Sequence, residues 1–176
     1  KEGTIVNIRY ATMADLDDIA SVEADCFTDL EAATKEEFEQ RIKYYGNHFW
    51  LMFDNDKLIA LVDGFVTDEA NLTDEMYENA SMHNENGAWQ MIFGVNTLPE
   101  YRRCGYAKEL IKKAILDARE QNRRGLVLTC KESLVPYYSK FGFVDEGITD
   151  KSTHGNVLWH QMRLDFKLRN NGMKQI

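Results

Sequence analysis

The fold is decided by residues 93–107, which read Phe93-Gly94-Val95-Asn96-Thr97-Leu98-Pro99-Glu100-Tyr101-Arg102-Arg103-Cys104-Gly105-Tyr106-Ala107. An apolar strand leads into a short polar turn, and the pattern R-x-x-G-x-A then opens a helix. After Gly105, apolar residues recur every three or four positions, which predicts an amphipathic helix: Ala107, Leu110, Ile111, Ala114, Ile115 and Ala118. Gly105 is therefore predicted to lie where a strand gives way to a helix.

This junction has the properties of an anion-binding site. The first turn of a helix has unpaired N–H groups and carries a partial positive charge, equivalent to about half an elementary charge. Glycine allows a ligand to approach the backbone, and Arg102 and Arg103 add positive charge. The sequence contains neither a Walker loop nor the G-x-G-x-x-G dinucleotide fingerprint. Gly105 is thus predicted to bind a pyrophosphate; the alternative is that it only eases a tight turn between solvated arginines.

Composition narrows the class of protein. The chain has 176 residues, of which 44% are hydrophobic and 28% charged, as in an ordinary globular domain. A net charge of −8 argues against nucleic acid as a partner. The acidic balance would suit a cationic substrate, although many proteins are acidic without one.

The cysteines and the apolar runs bear on location. Cys26, Cys104 and Cys130 form no C-x-x-C pair and no metal-ligand spacing with the histidines, so reduced thiols and no metal are expected. No apolar run approaches 18 residues and the amino terminus does not resemble a signal peptide. We therefore expect a cytoplasmic protein with no membrane partner.

The order of predicted elements indicates an α/β domain. Strands are predicted at residues 5–10, 49–53, 58–66, 88–95, 126–130, 143–147 and 157–164. Helices are predicted after Thr12, after the Thr34–Glu37 capping box, at 74–78, after Gly105 and at 133–140, the last ending at Gly142. The strands at 88–95 and 126–130 should be parallel neighbours joined by the helix after Gly105, within a mixed, mostly antiparallel sheet. Residues 1–166 are predicted to form one domain and residues 167–176 a polar tail.

This order, with R-x-x-G-x-A at the strand-to-helix junction, resembles the GNAT superfamily of N-acetyltransferases over nearly the whole chain. A second motif, L-T-C-K-E-S-L-V-P-Y-Y-S-K-F-G-F at residues 128–143, is similar to the arylalkylamine N-acetyltransferase branch, which has L-x-C-x-x-x-L-V-P-F-Y-x-x-F-G-F. Glu31-Ala32-Ala33-Thr34 is similar to microbial relatives of that branch. The resemblance implies a GNAT fold, in which flanking helices cover a sheet whose central parallel strands splay apart.

The resemblance also implies acetyl-CoA as the acyl donor. In the family, the strand that matches Phe93, Gly94 and Val95 pairs with the pantetheine arm, and the thioester lies where the parallel strands part. The pyrophosphate lies on the loop that matches Arg102, Arg103, Cys104, Gly105, Tyr106, Ala107 and Lys108.

Acetyl transfer to an amine makes three chemical demands. An alkylamine with a lysine-like pKa must lose a proton first, which costs roughly 4–5 kcal/mol near pH 7. The tetrahedral oxyanion needs a donor, such as a strand N–H near Gly94 or Val95. The leaving thiolate needs an acid. Tyr138 matches the family's tyrosine four residues before the final G-F and is predicted to be this acid; otherwise Tyr137 and Tyr138 are ordinary core aromatics.

The base is where this sequence departs from the animal members of the branch. Animal members of the arylalkylamine branch have two histidines on the strand before the phosphate loop, where this chain has Trp89 and Met91. His83 and Glu31 are the candidate replacements, and a water chain is a third. His83 could instead be an ordinary surface histidine, and Glu31 could cap the following helix.

Phe27, Glu31 and Thr129 are predicted to bind the substrate. A nucleophilic role for Cys104 is not expected, because the phosphate loop aims it away from the thioester.

The sequence therefore predicts an acetyl-CoA-dependent N-acetyltransferase. The acceptor is expected to be a small primary amine of the arylalkylamine or polyamine type, which attacks the thioester directly. One alternative is acetylation of a protein amino terminus or lysine, and another is an acetyl-CoA-binding regulator with little catalysis. The protein is expected to be a monomer or a homodimer.

Overall fold

A computed structural model of the chain describes residues 5–150 and 157–168. The helices are α1 (Leu16–Cys26), α2 (Lys35–Tyr45), α3 (Asp74–Glu78), α4 (Tyr106–Glu120) and α5 (Val135–Ser139). The strands are β1 (Val6–Tyr10), β2 (Phe49–Asp54), β3 (Lys57–Asp63), β4 (Val66–Thr67), β5 (Trp89–Ile92), β6 (Gly94–Thr97), β7 (Gly125–Cys130), β8 (Val144–Thr149) and β9 (Trp159–Asp165). Most of the tail predicted at 167–176 lies outside the described residues.

The strands form two hydrogen-bonded sheets, with the orders β1-β2-β3-β6 and β4-β5-β7-β9-β8. The β5–β7 pair is parallel and is joined through α4, and the other neighbouring pairs are antiparallel. This confirms the predicted α/β fold and its central parallel pair. The single strand predicted at 88–95 is wrong in one respect: it divides at Phe93, so that β5 belongs to one sheet and β6 to the other.

The division of the predicted strand at Phe93 follows from the close approach of two backbone segments. A β-carbon on Gly64 would lie 1.8 Å from the carbonyl oxygen of Met91, so only glycine allows the backbones to approach this closely. A side chain supplies hydrogen bonds at this point: Gln90 Nε2 donates to the carbonyl oxygens of Gly64 and Met91, both at 2.8 Å. The bend that separates the sheets therefore leaves these two buried carbonyls hydrogen-bonded.

Helices cover both faces of the first sheet. Residues 58–62 of β3 are all at most 4% exposed, and both α1 and α4 contact this strand. The predicted face of α4 is buried through Leu110, Ile111, Ala114 and Ala118. The predicted cap of α2 forms as well, since Glu37 N–H donates to Thr34 Oγ1 at 3.1 Å. Among the described residues, no helix combines the length and the apolar character that a membrane crossing requires.

Candidate active site

A cavity of about 390 Å³ lies where the central parallel strands part. Pairing between β5 and β7 ends at Ile92 and Leu128, because β6 turns away to pair with β3. Residues 92–95 form one wall, residues 128–130 form the opposite wall, and α1, α2, α3 and the loops beside them complete the enclosure. Among the described strands, β6 is at the edge of its sheet, so its outer backbone groups are available to a ligand in this opening.

Most of the predicted reaction-centre residues meet at this cavity. Phe27, Glu31, Thr129 and Tyr138 all line it, together with Phe93, Gly94 and Val95. Tyr138 is 7% exposed, and burial raises the pKa of its hydroxyl, so the phenol is protonated at neutral pH. A protonated phenol beside the gap between the strands is able to donate a proton or a hydrogen bond.

Neighbouring side chains hold two of these residues in place. Thr129 and Tyr77 share a hydrogen bond of 3.2 Å between their hydroxyl oxygens, and the Tyr77 ring lies 4.7 Å from the Phe93 ring. Glu31 Oε1 lies 3.5 Å from Lys131 Nζ, and its side chain is 21% exposed. Both walls of the cavity are thus linked across the opening.

The predicted phosphate loop lies outside the cavity lining, between the end of β6 and the start of α4. Arg102, Arg103, Cys104 and Gly105 are exposed, as is Lys108, while Tyr106 and Ala107 are half-buried. Gly105 has a φ of +81°, which non-glycine residues rarely adopt, and a β-carbon there would meet nothing within 4 Å. Arg102 Nε donates to the carbonyl of Thr97 at 3.0 Å, which fixes the loop to the end of β6.

His83 is not brought together with Tyr138 and Glu31. Its Nδ1 accepts a hydrogen bond from the Val66 backbone N–H at 3.1 Å, so its proton is on Nε2, which donates to Glu85 Oε2 at 2.9 Å. The described cavity lining does not include His83. Both ring nitrogens are therefore engaged away from the reaction centre.

His83 belongs to a group of metal-ligating residue types that sequence spacing did not reveal. Ligand atoms of His48, His83 and Glu85 lie within 4.8 Å of one another, and His48 Nε2 is 2.6 Å from Glu85 Oε2. Gln90 Oε1 must accept from His48 Nδ1 at 2.9 Å, because the Gln90 amide nitrogen is fixed by backbone carbonyls. Since His83 Nε2 carries a proton, it is not a metal ligand in this arrangement. Hydrogen bonds among His48, His83, Glu85 and Gln90 therefore explain why these side chains lie together.

The cavity also contains polar residues that sequence reasoning missed. They come from three helices, from the position after β7 and from β9: Glu23, Glu37, Arg41, Asp74, Tyr77, Glu78, Lys131 and Trp159. Arg41 is 4% exposed and donates to Asp63 Oδ2 and to the carbonyl oxygen of Tyr77, each at 3.0 Å. A usable signal existed for Glu23, which lies four residues after Ile19 on the apolar face of α1.

The cavity contains no activated thiol. Cys130 lines it, but burial raises the pKa of its thiol to about 11, so the nucleophilic thiolate is scarce at neutral pH. Cys104 is exposed on the phosphate loop, away from the lining. Direct attack by an acceptor is therefore simpler chemically than transfer through an acyl-cysteine.

Comparison with known proteins places this geometry in a family. The Acetyltransferase (GNAT) family profile matches residues 16–143, so the chain belongs to the GNAT acetyltransferase family. Solved structures of acetyltransferases in complex with acetyl-CoA or coenzyme A are among those similar to this chain. The family assignment agrees with the splayed parallel strands and with the helix that begins after Gly105.

Individual relatives are more distant. Serotonin N-acetyltransferase of Mesocricetus auratus is 29% identical over 93 residues, a region that spans 52% of this chain and 43% of that protein. The loading GNATL domain of CurA from Lyngbya majuscula has a TM-score of 0.81 at 16% identity, covering 94% of this chain and all of that one. A GNAT family acetyltransferase from Brucella melitensis in complex with acetyl-CoA has a TM-score of 0.59 at 17% identity, covering 93% and 89%. At these identities, the structural likeness shows the fold alone.

Proposed function

We propose that the chain transfers the acetyl group of acetyl-CoA to a small primary amine of the arylalkylamine or polyamine type, which attacks the thioester directly. The observation that carries this proposal is the 390 Å³ cavity, because it joins the free edge of β6 to a buried tyrosine and to several carboxylates. A thioester in this gap would lie between the two partners that acetyl transfer needs: an oxyanion donor and an acid.

The part of the site that binds the acyl donor, acetyl-CoA, is assigned as follows. The outer edge of β6 at Gly94 and Val95 pairs with the pantetheine arm, and a backbone N–H there stabilises the oxyanion. Residues 102–108 hold the diphosphate, because the first-turn N–H groups of the 15-residue helix α4 and the exposed side chains of Arg102 and Arg103 lie together at its amino end. Tyr138 protonates the departing thiolate. The acetyl-CoA complex of the Brucella relative supports the choice of ligand.

The acceptor half favours an amine that joins a cation to an apolar group. Glu31, Asp74 and Glu78 line the cavity and would attract an ammonium group. Phe27 and Trp159 line it as well and offer apolar surface for a ring or an alkyl chain. The name of the hamster relative, serotonin N-acetyltransferase, supports an arylalkylamine. We further propose a cytoplasmic protein, as a monomer or homodimer, with no nucleic-acid or membrane partner and no metal.

A panel of acceptors tests this assignment. The wild-type protein is incubated with acetyl-CoA and one acceptor at a time, and free thiol is followed: phenethylamine, tryptamine, spermidine, a lysine-containing peptide and a peptide with a free amino terminus. The proposal expects the highest kcat/KM for one of the three small amines. A peptide that exceeds all three would replace the proposal with protein acetylation, and tight acetyl-CoA binding without amine-dependent thiol release would replace it with a regulator.

A further inference from the structure

Three side-chain oxygens surround one face of Gly94. A β-carbon at this glycine would lie 3.0 Å from Asp63 Oδ1, 3.4 Å from Asn96 Oδ1 and 4.0 Å from Glu23 Oε1. Asp63 lies opposite Gly94 in the β3–β6 register, so both positions face the same side of the sheet. Gly94 is not among the glycines with positive φ, and its missing side chain is therefore what the position requires. Any larger residue would fill the space that these oxygens border.

Two of these oxygens belong to buried carboxylates. Glu23 is 7% exposed and Asp63 is 1% exposed. Arg41 donates to Asp63 at 3.0 Å, whereas no lysine or arginine of the described ranges, 5–150 and 157–168, forms an ion pair with Glu23. Burial raises the pKa of Asp63 to about 6, with the charge of Glu23 adding to the effect, and burial also raises the pKa of Glu23.

Within residues 5–150 and 157–168, the groups of α2 and α3 that face this pair include no cation beyond Arg41. From α2, Glu37 Oε2 lies 3.9 Å from Arg41 Nη2, and the buried hydroxyl of Tyr45 contributes no positive charge. From α3, the carbonyl oxygen of Tyr77 accepts a hydrogen bond from Arg41. Glu23, Asp63 and Glu37 thus lie around a single positive charge, that of Arg41. The excess of negative charge favours the uptake of a proton by this group.

Resting on the proposed amine acetylation, we propose that Glu23 is the catalytic base that removes the proton of the acceptor's ammonium group, directly or through one water. Asp63 and Arg41 are positioning residues behind it. Glu23 lines the cavity beside Gly94, while Asp63 does not reach the lining. Of the two base candidates from sequence, His83 lies outside the lining and Glu31 is paired with Lys131.

The proposed reaction balances as follows. The ammonium N–H bond breaks, its proton passes to a Glu23 carboxylate oxygen, and the electron pair remains on nitrogen. This pair forms the C–N bond to the thioester carbon, and the carbonyl electrons move to oxygen. The oxyanion then collapses, the C–S bond breaks and the thiolate takes the Tyr138 proton. Tyr138 regains a proton from the acetylated nitrogen, and Glu23 releases its proton to solvent.

The variant Glu23→Gln tests the proposal with little disturbance of the fold. The new side-chain oxygen can still accept from the Ala33 N–H, which donates to Glu23 Oε2 at 2.8 Å. Asn96 now donates to Glu23 Oε1 at 2.6 Å, and its own Oδ1 has no partner among the described residues. Turning the Asn96 amide over would let that oxygen accept from the new amide group, so the variant keeps a hydrogen-bonded interior.

We expect Glu23→Gln to lower kcat for phenethylamine about 10²–10⁴-fold at pH 7, with the deficit narrowing toward pH 10 as the free amine accumulates. The thermal shift with acetyl-CoA should be unchanged. The same variant should lose little with 2,2-difluoro-2-phenylethylamine, because fluorination makes its ammonium more acidic and leaves much of it neutral near pH 7. The matched control is Asp15→Asn, which alters a carboxylate that is 5% exposed and outside the cavity lining, and should keep the wild-type pH profile.

A Glu23→Gln kcat within about threefold of wild type at pH 7, or a deficit that is equal at every pH and for both amines, would overturn the catalytic role. The second pattern is what a structural role would produce. If the wild-type protein acetylates no amine while it binds acetyl-CoA, the proposed function fails and this assignment fails with it. If the wild type is active and Glu23→Gln is equally active, only the assignment of the base fails.

Discussion

Replacing Gly105 with alanine should separate the binding of acetyl-CoA from the stability of the fold. Gly105 has a φ of +81° and open space around the position of a β-carbon, so alanine adds backbone strain and no collision within the protein. That strain is about 1–2 kcal/mol, which lowers the melting temperature of a chain of this size by roughly 2–8 °C. The methyl group would occupy the side from which the diphosphate is expected to approach the loop.

The loss of one or two charge-assisted hydrogen bonds to phosphate corresponds to about 3 kcal/mol, or roughly a 100-fold weaker affinity. With acetyl-CoA at about 100 times the wild-type Kd, the ligand should stabilise the wild type by about 2.7 kcal/mol and Gly105→Ala by only about 0.4 kcal/mol. Thermal denaturation with and without acetyl-CoA measures both quantities.

Gly147 provides a matched control for this substitution. It has a φ of +94°, nothing within 4 Å of the position of a β-carbon, and a place on β8, outside the phosphate loop. Gly147→Ala should therefore show a similar loss of stability and the full stabilisation by acetyl-CoA. If both variants keep the full stabilisation, residues 102–108 do not hold the diphosphate and the reasoning about this loop is wrong.

Three further predictions concern the reaction, the bend and the pH dependence of folding. Tyr138→Phe should lower kcat by about 10²–10⁴-fold in thiol-release kinetics with a nearly unchanged Kd for acetyl-CoA; a kcat within about twofold of wild type would assign Tyr138 to the core. Gln90→Leu removes the donor to the buried carbonyls of Gly64, Phe65 and Met91 as well as the acceptor of His48, and should reduce the free energy of unfolding by about 2–5 kcal/mol in urea titrations; a loss below about 1 kcal/mol would contradict its role at the bend. The hydrogen bond from Arg9 lowers the pKa of Asp15, so this carboxylate stabilises the fold above about pH 4 and the stabilisation is lost as pH falls through the lowered pKa. Asp15→Asn should therefore be less stable than wild type at pH 7, with a deficit that narrows as pH falls below about 4, and a deficit that is equal at every pH would refute the linkage.

The local parts of this fold could be predicted from sequence. The spacing of apolar residues after Gly105 predicts α4, and the Thr34–Glu37 capping box predicts the start of α2. These signals depend on residues within a few positions of each other, so a single sequence contains all the necessary information. The order of elements predicts the central parallel pair, and the resemblance to the family adds that its strands splay apart.

The division of the sheet could not be predicted in the same way. It depends on the approach of Gly64 to the Met91 carbonyl and on the hydrogen bond from the Gln90 amide to the Gly64 carbonyl. Gly64 lies more than 25 positions before both of these residues in the chain. A strand pattern at 88–95 contains no sign that its two halves pair with different neighbours. The meeting of His48 with His83 is likewise a product of tertiary structure.

The polar residues behind Gly94 escaped prediction for a different reason. A glutamate on a helix normally faces solvent, and an aspartate at the end of a strand normally begins a turn. Glu23 and Asp63 are buried because α1 and α2 pack over the face of the sheet on which Gly94 leaves an opening. The sequence signal for the burial of Glu23 is its spacing: it lies four residues after Ile19, on the same face of α1 as this buried apolar residue.

Amine-dependent acetyl transfer is tested by following the acetyl group itself. Acetyl-CoA labelled with ¹³C in the acetyl group is mixed with the wild-type protein, with and without phenethylamine, tryptamine or spermidine, and the label is followed by NMR. We expect the label to appear in an amide with at least one of these amines, in step with free thiol, and to stay on acetyl-CoA when amine is omitted. Label that moves to acetate at the same rate with and without amine, or that never leaves bound acetyl-CoA, would contradict the proposed function.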